Sequence, residues 1–187
     1  MKRFVLAAAL ATLAGPALAH TGVGLHTRGL AAGFTHPLLG ADHLLAMLAV
    51  GLWGAAALPK RLWLAPATFV SGMIAGAGLQ LAGIAMPHVE GMIALSVLAF
   101  GLMTAFALRV PAAVALGLTG LFALSHGYAH AAEASGTFSA YLVGFVGATA
   151  LIHAVGVGFG LSILRFRHAL PVLGAGIAAA GIAMLAG

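Results

Sequence analysis

Cysteine is absent from this chain, and charged residues are scarce. The lack of cysteine excludes disulfides, thiolate metal sites and cysteine nucleophiles. Only 6% of the 187 residues are charged and only three are acidic, whereas a typical soluble domain is about 25% charged. Since 63% of the residues are hydrophobic and long apolar stretches recur, the composition predicts an all-α, polytopic membrane protein.

The formal charge of +5 comes largely from basic residues at the ends of apolar segments. Basic residues in these positions set the topology of a membrane protein. They do not form the clustered patch that is typical of nucleic-acid binding. The lipid bilayer is therefore the expected partner, and no nucleic acid is expected.

The first residues are typical of a cleavable signal peptide. Lys2 and Arg3 precede a short apolar run from Phe4 to Leu13, and residues 16–19 end in an Ala-x-Ala-like cleavage site. We predict a signal peptide over 1–19 and a single transmembrane domain over 20–187, with His20 as the first mature residue. The alternative is an uncleaved first anchor, which the shortness of the apolar run disfavours.

Six apolar segments follow, and each is predicted to be a transmembrane helix. The predicted spans are Leu30–Leu58, Leu62–Met86, Gly91–Leu108, Ala112–Tyr128, Phe138–Leu164 and Ala169–Ala186. The connections are short, which favours antiparallel neighbours. The fifth segment is longer than a bilayer requires, so a tilt or a break is expected in it.

Glycines lie at regular spacing in two of these segments. Gly72 and Gly76 form a GxxxG pattern, and Gly156, Gly158 and Gly160 thin the fifth span. Such spacing favours close helix packing; the alternative is a hinge beside an ion path. The same faces would allow a homo-oligomer without requiring one.

The distribution of basic residues predicts the orientation. If the mature N-terminus is outside, five basic residues fall in inner connections and one, Arg28, falls outside. The inner residues are Lys60, Arg61, Arg109, Arg165 and Arg167. The signal peptide and the charge count agree, so both termini of the mature chain are predicted to be external.

The first predicted span places two histidines and an aspartate among apolar residues. A charge at the bilayer centre costs roughly 2.5–3.5 kcal/mol on insertion scales, and such residues mark binding sites or ion paths. His36 and His43 share a face of a regular helix but lie about 10 Å apart along it, too far for one metal ion. Pro37 or Gly40 can break the helix and bring the imidazoles together. Asp42 is interpreted as a ligand, a partner to an imidazole, or an anionic stop for a cation.

A second cluster lies at the end of the fourth predicted span. His126 and His130 are four residues apart, and Glu133 follows three residues later. On a continuous helix all three share a face, and an H-x-x-x-H pair can place two nitrogens on one metal. The alternative is that His130 and Glu133 are ordinary solvated loop residues. Both clusters are predicted to open outward.

The other candidate ligands are weaker. A mature His20 offers an α-amine and an imidazole that together could capture a cation. His153 is interpreted either as a satisfied buried histidine or as a lower relay ligand. Met47 is more typical of core packing than of ligation. The remaining residues are interpreted as solvated or interfacial groups: His26, His88, Glu90 and His168.

These motifs together resemble a known family. The run from His36 to Met47, HPLLGADHLLAM, resembles the signature of the HupE/UreJ family, and the run from His126 to Glu133, HGYAHAAE, is similar to a second family motif. The resemblance covers nearly the whole chain. It implies a secondary permease of the bacterial inner membrane for nickel or cobalt, linked indirectly to hydrogenase or urease. The family motif falls on His36, Asp42 and His43.

Three functions remain open at this point. The preferred one is a permease for a divalent metal, with Ni²⁺ ahead of Co²⁺, Cu²⁺ and Zn²⁺, and with no prosthetic group and no enzymatic activity. Its ligands would be His36, Asp42, His43, His126, His130 and Glu133, with His20 for capture. A membrane-embedded zinc hydrolase would need an open zinc site and a serine such as Ser71 or Ser125. A sensor or delivery protein would bind copper or nickel without transporting it.

Overall fold

The computed structural model describes residues 28–187, so the predicted signal peptide, His20 and His26 lie outside the described residues. Across that range the chain is helical and has no strand. The seven described helices are α1 Leu30–Leu39, α2 Ala41–Ala57, α3 Leu64–Leu81, α4 Val89–Ala105, α5 Ala112–Ala132, α6 Phe138–Ile163 and α7 Ala169–Ala186. The all-α prediction is confirmed for this range.

Four of these helices, α3, α5, α6 and α7, are long and apolar enough to cross a membrane. The pair α1 and α2 passes the same test as one segment bent by 79°. Helix α4 is apolar but shorter, with 17 residues. The chain is thus a multi-pass membrane protein, and the count of six spans stays a prediction.

Large apolar side chains also cover the outside of the bundle. Leu121 is 51% exposed, Val143 62% and Phe159 49%, although each lies within a helix that could span a bilayer. Such a surface is unfavourable in water and suits hydrocarbon, so these faces are the ones that contact lipid.

The first predicted span is not one straight helix. Gly40 is extended, with φ −80° and ψ 110°, and separates α1 from α2. Pro37 lies in the last turn of α1 and lacks the N–H that would continue the ladder. The break that Pro37 and Gly40 predicted is confirmed, and it places His36 and His43 on either side of the bend.

Three other helices end three to five residues from their approximate predicted boundaries. Helix α3 ends at Leu81, five residues before Met86, because Gly83 turns the chain with φ 70°. Helix α4 ends at Ala105 and the left-handed Ala107 follows, with φ 46°. Helix α5 continues past Tyr128 to Ala132, so His130 is helical.

The glycine spacing reflects close helix packing, as one of the two interpretations predicted. A Cβ added at Gly72 would lie 2.7 Å from the Cβ of Ala123, so α3 packs on α5 through this face. A Cβ at Gly156 would lie 2.7 Å from the backbone oxygen of Leu48, which joins α6 to α2. Helix α6 is continuous over 26 residues, so the break considered for this span does not occur. The GxxxG face is used within the chain.

Candidate metal centre

Three histidines from three helices converge near the bend between α1 and α2. His36 lies in the last turn of α1, His43 in the first turn of α2 and His130 in the last turn of α5. Each offers one ring nitrogen within 4.8 Å of the other two. Their ring centroids are 4.5 to 5.8 Å apart. His130 is fully buried, His43 is 6% exposed and the His36 side chain is 30% exposed. We call these three residues the histidine trio.

The spacing of the trio is close to what one transition metal requires. A metal–nitrogen bond is 2.0–2.1 Å, so two nitrogens on one ion are separated by no more than about 4.2 Å. The present separations of up to 4.8 Å would close with side-chain movements of less than an ångström for each ring. Closure of the trio around one ion would therefore require no rearrangement of the helices.

His43 is oriented by its neighbour Asp42. The Asp42 carboxylate accepts hydrogen bonds from the backbone N–H and from Nδ1–H of His43, both at 2.7 Å. Because Nδ1 carries this hydrogen, the lone pair of the neutral ring is on Nε2. Nε2 is buried and has no hydrogen-bond partner among the described residues. Asp42 therefore contacts the His43 ring on the side away from Nε2 and fixes the orientation of that ring.

His126 lies next to the trio and is fixed in the same manner. Its ring centroid is 4.9 Å from that of His43, and its Nε2 lies 2.9 Å from Ser96 Oγ. The Ser96 hydroxyl donates its hydrogen to the backbone oxygen of Ile93 at 2.7 Å. Ser96 must therefore accept from Nε2–H of His126, which leaves the Nδ1 lone pair available. Nδ1 is buried and unpartnered within the described part of the chain.

His130 is held by stacking and not by hydrogen bonds. Its ring lies parallel to that of Phe145, with centroids 4.9 Å apart and an interplanar angle of 3°. Neither ring nitrogen has a hydrogen-bond partner in the described residues. Leaving a buried polar group unpaired costs about 1–3 kcal/mol, so the fold keeps these nitrogens available at the expense of stability.

Glu133 connects the trio to the surface. It lies at the end of α5, its side chain is 40% exposed, and its Oε2 is 3.1 Å from His36 Nε2. His36 is the most exposed of the trio. A cation that approaches from this side therefore meets a carboxylate first and the buried imidazoles next.

The structure brings together all six residues that the two sequence clusters nominated. His36, His43 and His130 form the trio, with His126, Asp42 and Glu133 in contact with it. The remaining candidates lie elsewhere: His20 is outside the described residues, His88, Glu90 and His168 are exposed, Met47 is in the apolar core, and His153 is buried in α6.

Sequence reasoning missed the residues that support the trio. Ser96 is one of two hydroxyl residues in the apolar helix α4, the other being Thr104, and a single serine is a weak signal on its own. Phe145 and Tyr141 are one turn apart on α6 and pack beside His130 and His36. Aromatic residues at this spacing are common in any helical core, so the sequence offered no signal for their role.

Fold and site together define a multi-pass helical membrane protein with a buried cluster of histidines. The family model described as HupE / UreJ protein matches residues 8–184. Protein HupE of Rhizobium leguminosarum bv. viciae is 42% identical, with 100% of each chain covered. No solved structure is significantly similar. The chain belongs to the HupE/UreJ family.

Proposed function

We propose that this protein is a permease that takes up divalent transition-metal cations, with Ni²⁺ as its main cargo, across the bacterial inner membrane. The observation that carries the proposal is the convergence of His36, His43 and His130 between helices of a membrane protein. His43 and His130 are buried, and each has a ring nitrogen without a hydrogen-bond partner among the described residues. Imidazole nitrogens suit nickel, copper and zinc. Membership of the HupE/UreJ family favours nickel or cobalt as the cargo.

Each residue of the site has a distinct task in this mechanism. Glu133 attracts the hydrated cation, and His36, His43 and His130 replace its water molecules. Asp42 holds His43 with Nε2 toward the ion and supplies a nearby negative charge. His20 would act before these as a capture ligand at the mature N-terminus, and the metal would supply hydrogenase or urease inside the cell.

The membrane potential can drive such a cation inward without a nucleotide. A divalent ion that crosses 100 mV gains about 4.6 kcal/mol, twice the value for a single charge. Ligands that are mostly neutral leave the ion with much of its charge, so the potential acts on it directly. A weakly held ion then moves down its electrochemical gradient.

The test is the uptake of radiolabelled nickel into proteoliposomes that contain the mature protein. We expect saturable uptake that His43→Ala lowers at least tenfold, because one of three ligands is lost. His168→Ala, which removes an exposed histidine that precedes α7, should transport like the wild type. Competition by cobalt, copper and zinc ranks the cargo ions.

Two outcomes would replace the permease. Zinc that stays bound through purification, together with hydrolysis of a lipid-like ester or amide, would assign a hydrolase. Tight nickel or copper binding with no flux at any potential would assign a sensor or delivery protein. The absence of saturable uptake by the wild type contradicts the proposal in either case.

A further inference from the structure

His153 lies apart from the trio and presents one free ligand atom. It is fully buried in α6, and its Nδ1 lies 2.8 Å from the backbone oxygen of Thr149. A carbonyl oxygen only accepts, so Nδ1 carries the hydrogen of the neutral ring. The lone pair is then on Nε2, which is buried without a hydrogen-bond partner in the described part of the molecule.

A cavity between α3 and α6, open to the outside of the bundle, has His153 in its wall. Its volume is about 330 Å³, and His153, Ser71 and Trp63 are among its seven lining residues. A water molecule occupies about 30 Å³, so the cavity has room for a partly hydrated ion. The indole N–H only donates, which leaves His153 as the one nitrogen ligand on the cavity wall.

The position of the cavity suits an exit. Trp63 precedes α3 and follows Lys60 and Arg61, which the count of basic residues assigns to the inner side. His153 lies in the second half of α6, whereas Tyr141, beside the trio, lies in its first turn. The cavity is therefore on the inner side of the trio along the membrane normal.

The aromatic ring of Phe69 contacts both His153 and His126. The Phe69 ring centroid lies 5.1 Å from that of His126 and 5.1 Å from that of His153. His126 in turn contacts His43 of the trio. Successive ring contacts thus connect His43, His126, Phe69 and His153, and His153 lines the inner cavity.

We propose that His153 is an inner relay ligand for a divalent transition-metal ion, which passes from the trio by way of His126 to the inner cavity. The proposal rests on the proposed permease function and adds a second metal position to it. A single imidazole completed by water holds an ion weakly, which suits a position that must release its cargo.

The test compares two substitutions in the full chain. His153→Gln keeps a polar side chain but removes the imidazole ligand, and we expect the initial rate of nickel uptake to fall at least tenfold. His153→Cys supplies a different metal ligand and should retain several times the rate of His153→Gln. Equilibrium binding of Ni²⁺ to the trio should be unchanged in both, which also shows that both variants are folded.

The absence of other cysteines sharpens the experiment. N-ethylmaleimide should stop uptake by His153→Cys and leave the wild type unaffected, and Ni²⁺ should slow the reaction of the introduced thiol. That protection is measured in detergent without any flux, so it tests the inner position even if the wild type does not transport. Uptake by His153→Gln at the wild-type rate, equal losses in both variants, or a thiol that Ni²⁺ does not protect would overturn the proposal.

Discussion

At the scale of single residues, His43, His126 and His153 each have a neighbour that determines which ring nitrogen carries the hydrogen. Asp42 does this for His43, Ser96 for His126 and Thr149 for His153. In each case the neighbour accepts a hydrogen bond from one ring N–H, so the other ring nitrogen of the neutral imidazole has a free lone pair. These neighbours therefore orient the rings and leave one nitrogen of each ring available as a metal ligand.

The role of Ser96 gives a prediction at this scale. Ser96→Ala removes the acceptor for Nε2–H of His126, so the ring loses its fixed orientation. Partners of this kind contribute 10- to 100-fold to metal affinity or activity, and we expect nickel uptake to fall within that range. Uptake into proteoliposomes measures it.

Ser162→Ala is the matched control for this change. Ser162 donates to the backbone oxygen of Phe159 at 2.7 Å, just as Ser96 does to that of Ile93. Ser162 is exposed and lies nine residues after His153 on α6. Uptake should be unaffected. Equal rates in the two variants would show that the contact between Ser96 and His126 does not matter for transport.

At the scale of helices, the sequence predicted the break in the first span but not which side chains contact one another between helices. Pro37 and Gly40 are local signals, because a missing N–H and a missing Cβ act on the chain wherever it lies. By contrast, the contacts of Ser96 with His126 and of Phe145 with His130 join residues that are distant in sequence. No pattern within one helix specifies such pairs, so only the packed bundle reveals them.

Close packing of α3 on α5 gives a prediction at the helix scale. A Cβ at Gly127 would overlap the backbone of Met73, so Gly127→Ala must push the two helices apart next to His126. Overpacking of this kind costs about 1–3 kcal/mol. We expect a lower thermal midpoint in detergent and slower nickel uptake.

Gly117→Ala on the same helix provides the comparison. A Cβ there meets nothing within 4 Å, and alanine favours the helix by up to about 1 kcal/mol over glycine. Its thermal midpoint should equal or exceed that of the wild type. If both variants melt alike, close approach at Gly127 is not what holds α3 against α5.

At the scale of the whole molecule, the ends of the bundle differ in chemistry. The trio, Glu133 and the α1–α2 bend lie at one end. The connections that carry Lys60, Arg109 and Arg165 alternate with those at that end. The count of basic residues predicts that the end with the trio faces outward, and the direction of transport that we propose depends on that orientation.

The topology can be tested because the chain has no native cysteine. Gly187→Cys and Pro59→Cys each place one thiol at an exposed position. With a membrane-impermeant maleimide on spheroplasts, we expect Gly187→Cys to be labelled directly. Pro59→Cys should be labelled only after permeabilisation. The reverse pattern would invert the molecule in the membrane and turn the proposed uptake into export.

The placement of the trio has one further consequence. His36 and His43 lie on α1 and α2, which pack mainly on α6, whereas His130 lies on α5, which packs mainly on α3. Helix α5 is not among the helices that pack extensively on α1 or α2. An ion bound by all three histidines is thus a removable cross-link over a seam in the bundle. Binding of the ion would restrict movement between α1 and α2 on one side and α5 on the other. Each release of the ion would allow these two sides to move apart.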